Sequence, residues 1–68
     1  MDEDVFNMSV RKFLKKLGVT AQREVEGAVR GGLADGRLKG SEKVAARATI
    51  TLVGLDKDIV VEGVIELD

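Results

Sequence analysis

The chain is 68 residues long with a formal net charge of −1, and it has no Cys, His, Trp, Tyr or Pro. One small domain is all that this length accommodates, and a domain of this size buries only about 60% of the surface its unfolded chain exposes. Structural zinc sites use mainly thiolate and imidazole, so none is expected, and without Cys there is no disulfide staple; self-association is an open route to more buried area.

The balanced charge offers no global attraction to nucleic acid or to an acidic membrane surface. Residues 1–43 carry nine Lys/Arg against seven Asp/Glu, and residues 44–68 carry two against five. That mild asymmetry fits the solvated faces of two sub-elements. The N-terminal Asp2-Glu3-Asp4 has the wrong sign for a signal peptide. No apolar run approaches the roughly 20 residues that span a bilayer. The expected location is the cytoplasm, and the expected fold is a single α+β domain over residues 1–68.

In chain order, the first expected element is a helix over about residues 2–17. Phe6, Val10, Phe13, Leu14 and Leu17 recur with the period of one helical face. Asp2, Glu3 and Asp4 at its start and Lys15 and Lys16 at its end complement the helix dipole. Gly18 stands where a left-handed residue ends a helix, and both Phe side chains are expected in the core. Arg11, Lys12, Lys15 and Lys16 cluster away from the apolar stripe. They make a solvated face or a small phosphate-binding patch, without an aromatic to stack on bases.

A second helix is expected over about residues 21–34, with Thr20 as N-cap and Gly36 as terminator. Val25, Ala28, Val29, Gly32 and Leu33 form a thinner stripe. Gly27, Gly31 and Gly32 each cost about 1 kcal/mol relative to Ala in a helix. Arg23 and Arg30 lie two turns apart on one face. Two helices joined by Gly18-Val19-Thr20 and followed by a hairpin also have the order of a winged helix-turn-helix. That alternative makes the protein a nucleic-acid binder through Arg11, Lys12, Lys15, Lys16, Arg23 and Arg30. Against it stand the missing third helix and the net negative hairpin.

Residues 35–41 read as a connector in which Leu38 plugs the core and residues 37–39 are a candidate short third strand. From Val44 the pattern switches to period 2. Val44, Ala46, Ala48, Ile50 and Leu52, with Ile59, Val61, Gly63, Ile65 and Leu67, form the inward face of an antiparallel hairpin, because the other face carries Arg47, Glu62 and Glu66. Faces match only when paired position numbers sum to an odd value. The preferred register pairs Leu52 with Val61 across a Leu55-Asp56-Lys57-Asp58 loop, and a longer loop pairing Ile50 with Val61 also qualifies. Val53, Val60 and Val64 are left on the outward face as a candidate surface for a partner or a second copy, alongside open strand edges.

No catalytic constellation is present. The usual nucleophile–base pairs need His or Cys, and Glu62 and Glu66 stand about 13 Å apart along a strand. No phosphate-binding or calcium-binding loop pattern occurs either, so neither cofactor nor metal is expected.

Asp4-Val5-Phe6-Asn7-Met8-Ser9-Val10-Arg11-Lys12-Phe13-Leu14, then Gly18 to Glu24, Gly36 to Gly40 and the closing Val61 to Leu67 resemble a family of short, uncharacterised bacterial proteins classed as a domain of unknown function. The resemblance covers nearly the whole chain. It implies a free-standing bacterial protein and assigns no activity, ligand or catalytic residue. The expectation is two N-terminal helices packed on one face of a C-terminal antiparallel β-hairpin, in a non-catalytic protein–protein interaction or accessory domain.

Overall fold

The computed structural model describes residues 1–68, in the order helix α1 (Glu3–Ala34), strand β1 (Lys43–Leu52) and strand β2 (Lys57–Glu66). The chain divides into two compact units, Met1–Leu38 and Lys39–Asp68.

The first unit corrects the two-helix expectation. A single 32-residue helix runs through Gly18-Val19-Thr20 without interruption. At 1.5 Å per residue it is about 48 Å long. Gly18 is not among the residues with positive φ, so it does not adopt the left-handed conformation of a terminator. The physical reason is the asymmetry between nucleation and propagation. Carrying a formed helix through one Gly costs about 1 kcal/mol, whereas stopping and restarting means a second unfavourable nucleus. Thr20 is accordingly an interior residue and not an N-cap. With no turn between two helices, the winged helix-turn-helix layout falls as well.

Both helix ends are built by the residues flanking it. Asp2 is the N-cap, its carboxylate accepting from the Asp4 and Val5 N–H groups at 3.0 and 3.2 Å. Glu3 and Asp4 add negative charge to the first turn. At the other end Gly36 takes φ +86, as expected of a terminator. The Asp35 N–H donates to the Gly31 carbonyl and the Leu38 N–H to the Gly32 carbonyl, each at 3.0 Å.

Residues 37–39 are therefore not a third strand, and the sheet has two strands only. Leu38 instead folds back onto the helix. Its Cδ1 lies 2.9 Å from the position a Cβ on Gly32 would occupy, and Gly32 is the one buried residue of α1. The Phe side chains are not core residues: Phe6 is 47% and Phe13 51% exposed.

In the second unit the Glu42 carboxylate organises the approach to β1. It accepts from the Lys39 N–H through both oxygens, at 2.9 and 3.0 Å, and from the Gly40 N–H at 2.7 Å. Gly40 can turn the chain there because it sits at φ +103.

The hairpin has the expected facing and a different register. Val44 pairs with Ile65, Ala46 with Gly63, Ala48 with Val61 and Ile50 with Ile59, so the two inward sets do share a face. The half-buried hairpin residues Val44, Ala46, Ile50 and Ile65 all belong to it. Leu52, however, pairs with Lys57 and not with Val61, and the loop is Val53 to Asp56. Gly54 decides this. It takes φ +88 inside a turn closed by the Leu55 N–H on the Leu52 carbonyl at 3.2 Å. The observed register also sets Arg47 opposite Glu62 and Lys43 opposite Glu66, two complementary cross-strand pairs.

Candidate functional site

The continuous helix makes one surface out of two stripes that the sequence suggests separately. Phe6, Val10, Leu14, Leu17, Ala21, Val25, Ala28 and Gly32 follow a 4-4-3 spacing that never loses phase across Gly18. This is an 11-residue repeat with about 3.67 residues per turn, close to the helix's own period, so the stripe stays on one side along the whole rod. Phe13 widens it. The large side chains of the stripe are partly open to solvent: Val10 40%, Leu14 47% and Val25 38% exposed, beside the two Phe residues, with Leu17 half-buried. Its composition is graded. The N-terminal half carries Phe, Val and Leu; the C-terminal half carries Ala, Val and Gly.

Glu24 is the single charged residue that falls within this stripe beyond the first turn. Its position on the helix is one residue before Val25 and seven after Leu17, which puts it at the stripe's edge.

The six cations of the nucleic-acid alternative all lie on α1 and all are exposed. None takes part in an ion pair; the pairs present are Arg37–Asp35, Lys43–Glu66 and Arg47–Glu62. Lys12, Lys16, Arg23 and Arg30 are brought into one row by their 4-7-7 spacing, while Arg11 and Lys15 turn toward a neighbouring side. The row is borne by one continuous helix. It does not have the turn that sets a recognition helix into a groove.

A depression of about 530 Å³ is lined by Val5, Met8, Ser9, Arg11, Lys12 and Lys15. Every one of these residues is on α1, with Val5 60% and Met8 71% exposed. A single helix cannot wall off a ligand from water, so this feature is a surface groove and not a reaction chamber.

On the hairpin, Val60 faces Thr49 and Val64 faces Ala45, on the side away from the half-buried face. They are 51% and 62% exposed. Val53 does not join them: it is in the loop, 94% exposed. The expected three-valine patch is thus two residues on a strand, flanked by the exposed Arg47–Glu62 and Lys43–Glu66 pairs at 3.9 and 3.8 Å.

Two carboxyl groups are held below their ordinary range. For Glu42 the main cause is the Lys39 N–H, with its own and the Gly40 N–H adding to it. For Asp35 it is the Arg37 guanidinium and then the Arg37 N–H. Both arrangements stabilise local turns, and neither brings a second titratable group to share a proton. There is no group of three or more carboxylate or similar ligands placed to hold a metal ion, and no helix is long and apolar enough to cross a membrane.

The exposed apolar surface that the sequence did not single out is the helix stripe itself, whose members read as an internal core. The available signal was its unbroken phase through Gly18. Comparison with curated proteins and with solved structures found no match. A family model does match, over residues 1–68, and it is described as a family of unknown function, DUF6494. With a match that spans its full length, the chain belongs to the DUF6494 family of unknown function.

Proposed function

We propose that this chain is a non-catalytic protein–protein interaction domain whose contact surface is the apolar stripe of α1. One observation carries the reading: Phe6, Val10, Phe13, Leu14 and Val25 stand in one stripe, each between 38% and 51% exposed. Contiguous apolar surface of this kind costs free energy in water and marks contact sites. A helix also draws most of its stability from packing such a face, and the four interior Gly of α1 make that need greater.

The chemistry of the chain supports a binding role over a catalytic one. His and Cys are absent, and the two perturbed carboxyls are engaged with backbone and with Arg37. The Cys-free composition suits a reducing compartment, and the cytoplasm is the location proposed here. Val60 and Val64 offer a second, smaller contact area.

The test is a photo-crosslinking residue placed at Phe13, with Lys12, which lies outside the stripe, as the comparison. A protein adduct from Phe13 in the source cell, absent or much weaker from Lys12, is expected. Equal labelling from both positions, or none from Phe13, overturns the reading. In a low-salt mobility-shift assay with mixed DNA and RNA, no salt-sensitive binding is expected.

A further inference from the structure

We propose that the occupant of the stripe is a second copy of this chain, its α1 lying antiparallel to the first about a twofold axis level with Val19. The proposal rests on the interaction reading above and names its partner.

The gradation of side-chain size is the first argument. About an axis at Val19, Val10 of one copy shares a layer with Ala28 of the other, Phe13 with Val25, and Leu17 with Ala21. Phe6 arrives at Gly32, where Leu38 already sits in the place of the missing Cβ. Val10 and Leu17 thus meet Ala and Phe13 meets Val, large against smaller as interdigitated packing requires, while Phe6 lies over the Leu38 side chain and Leu14 meets Glu24. A parallel pair sets Phe6 against Phe6 and Phe13 against Phe13 at one end, and Ala21 against Ala21 and Ala28 against Ala28 toward the other, bulky on bulky and small on small.

The second argument is charge. In a parallel pair Glu24 meets Glu24 at the stripe's edge, and the acidic triplets Asp2-Glu3-Asp4 of both copies lie side by side. In the antiparallel pair Glu24 shares its layer with Leu14. Lys16 of the other copy comes within about 3 Å of it along the axis, on the same flank, within reach of an ion pair. The triplets are moved to opposite ends of the assembly.

The third argument is burial. Within its own unit α1 buries only Gly32. Small domains without disulfide or metal gain their missing burial by oligomerising. The 4-4-3 spacing suits two nearly straight helices, because it departs little from the intrinsic helical period.

The experiment combines sedimentation equilibrium of the full chain with distances between spin labels. The absence of native Cys makes single-site labelling clean. Labels on Met8→Cys and Gln22→Cys lie outside the stripe. In the proposed dimer the two Met8 sites are separated by about 33 Å along the axis and the two Gln22 sites by about 9 Å. A dimer with the Met8 labels much farther apart than the Gln22 labels is the expected result. A dimer with equal short distances at both sites is parallel and overturns the proposal. A monomer at tens of micromolar, or a larger assembly, overturns it too. A monomer that still gives a Phe13 photo-adduct with another protein leaves the interaction reading standing while this proposal falls.

Discussion

Leu38 is seated on Gly32: its N–H donates to the Gly32 carbonyl at 3.0 Å, and its Cδ1 and Cγ lie 2.9 and 3.1 Å from where a Gly32 Cβ would be. Gly32 therefore serves a contact, whereas Gly27 and Gly18 have open space at the same position. The expected outcome is a split among chemically identical substitutions. Gly18→Ala or Gly27→Ala raises helix stability by about 0.5–1 kcal/mol through propensity. Gly32→Ala forfeits that gain, because the new methyl displaces Leu38 from the helix end. Far-UV circular dichroism melts of the three variants check this. Equal gains at all three positions sink the role assigned to Leu38.

Gly54 and Asp56 are the left-handed residues of the hairpin loop, at φ +88 and +49. A Cβ in this region costs about 1–2 kcal/mol per residue. Gly54→Ala is expected to destabilise the hairpin by about that amount and to broaden or shift the cross-strand contacts at Leu52 and Lys57. Asp56→Gly removes a similar, smaller strain and is expected to raise stability by a fraction of it. Cross-strand nuclear Overhauser contacts between β1 and β2, followed with temperature, measure both. A Gly54→Ala variant as stable as the native chain contradicts the turn geometry.

Acidification is expected to loosen the connector at Glu42. Its carboxyl is more acidic when folded than in the unfolded chain, because the Lys39 and Gly40 N–H groups favour the charged form. The contribution is complete above the ordinary Glu range, about pH 4.3, and is lost as pH falls through the lower folded value. Asp35, held down by Arg37, behaves in the same sense. The amide shifts of Lys39 and Gly40 should titrate together below the ordinary range, and Glu42→Gln should abolish that titration. Amides that titrate with an unperturbed carboxyl, or not at all in the native chain, contradict the arrangement.

The hairpin was legible because its pattern is two-sided. Arg47, Glu62 and Glu66 must face water, so the parity of the pairing follows from the alternation along each strand. The register was not: neither expected pairing, Leu52 with Val61 or Ile50 with Val61, is formed, and the left-handed Gly54 places the turn at Val53 to Asp56, so that Ile50 pairs with Ile59. The helix was misread at Gly18 for a comparable reason. A lone Gly marks a C-terminus only if the next residues cannot continue the helix, and Val19 and Thr20 can. Leu14, Leu17, Ala21 and Val25 keep phase through the break, which was the signal for one rod. Leu38, expected in a core or a strand, is explained by a local contact six residues back that no periodicity announces. The stripe's exposure is not legible in its periodicity, because an apolar helical face reads equally as an internal core.

Glu24 gives the sharpest test of how two copies meet. It interrupts an otherwise apolar stripe, and in the antiparallel pair it lies in the layer of Leu14, near Lys16 of the other copy. Glu24→Leu replaces a partly desolvated carboxylate by apolar surface, and the dimer is expected to tighten by about tenfold or more in Kd. Lys16→Glu is expected to weaken association in the native background, where it meets Glu24 as a like charge, and to have little effect once Glu24→Leu is present. Sedimentation of the two single variants and the double variant forms a cycle whose coupling belongs to the pair. An effect of Lys16→Glu that is the same in both backgrounds means that the two residues do not meet, and the register centred on Val19 is then wrong.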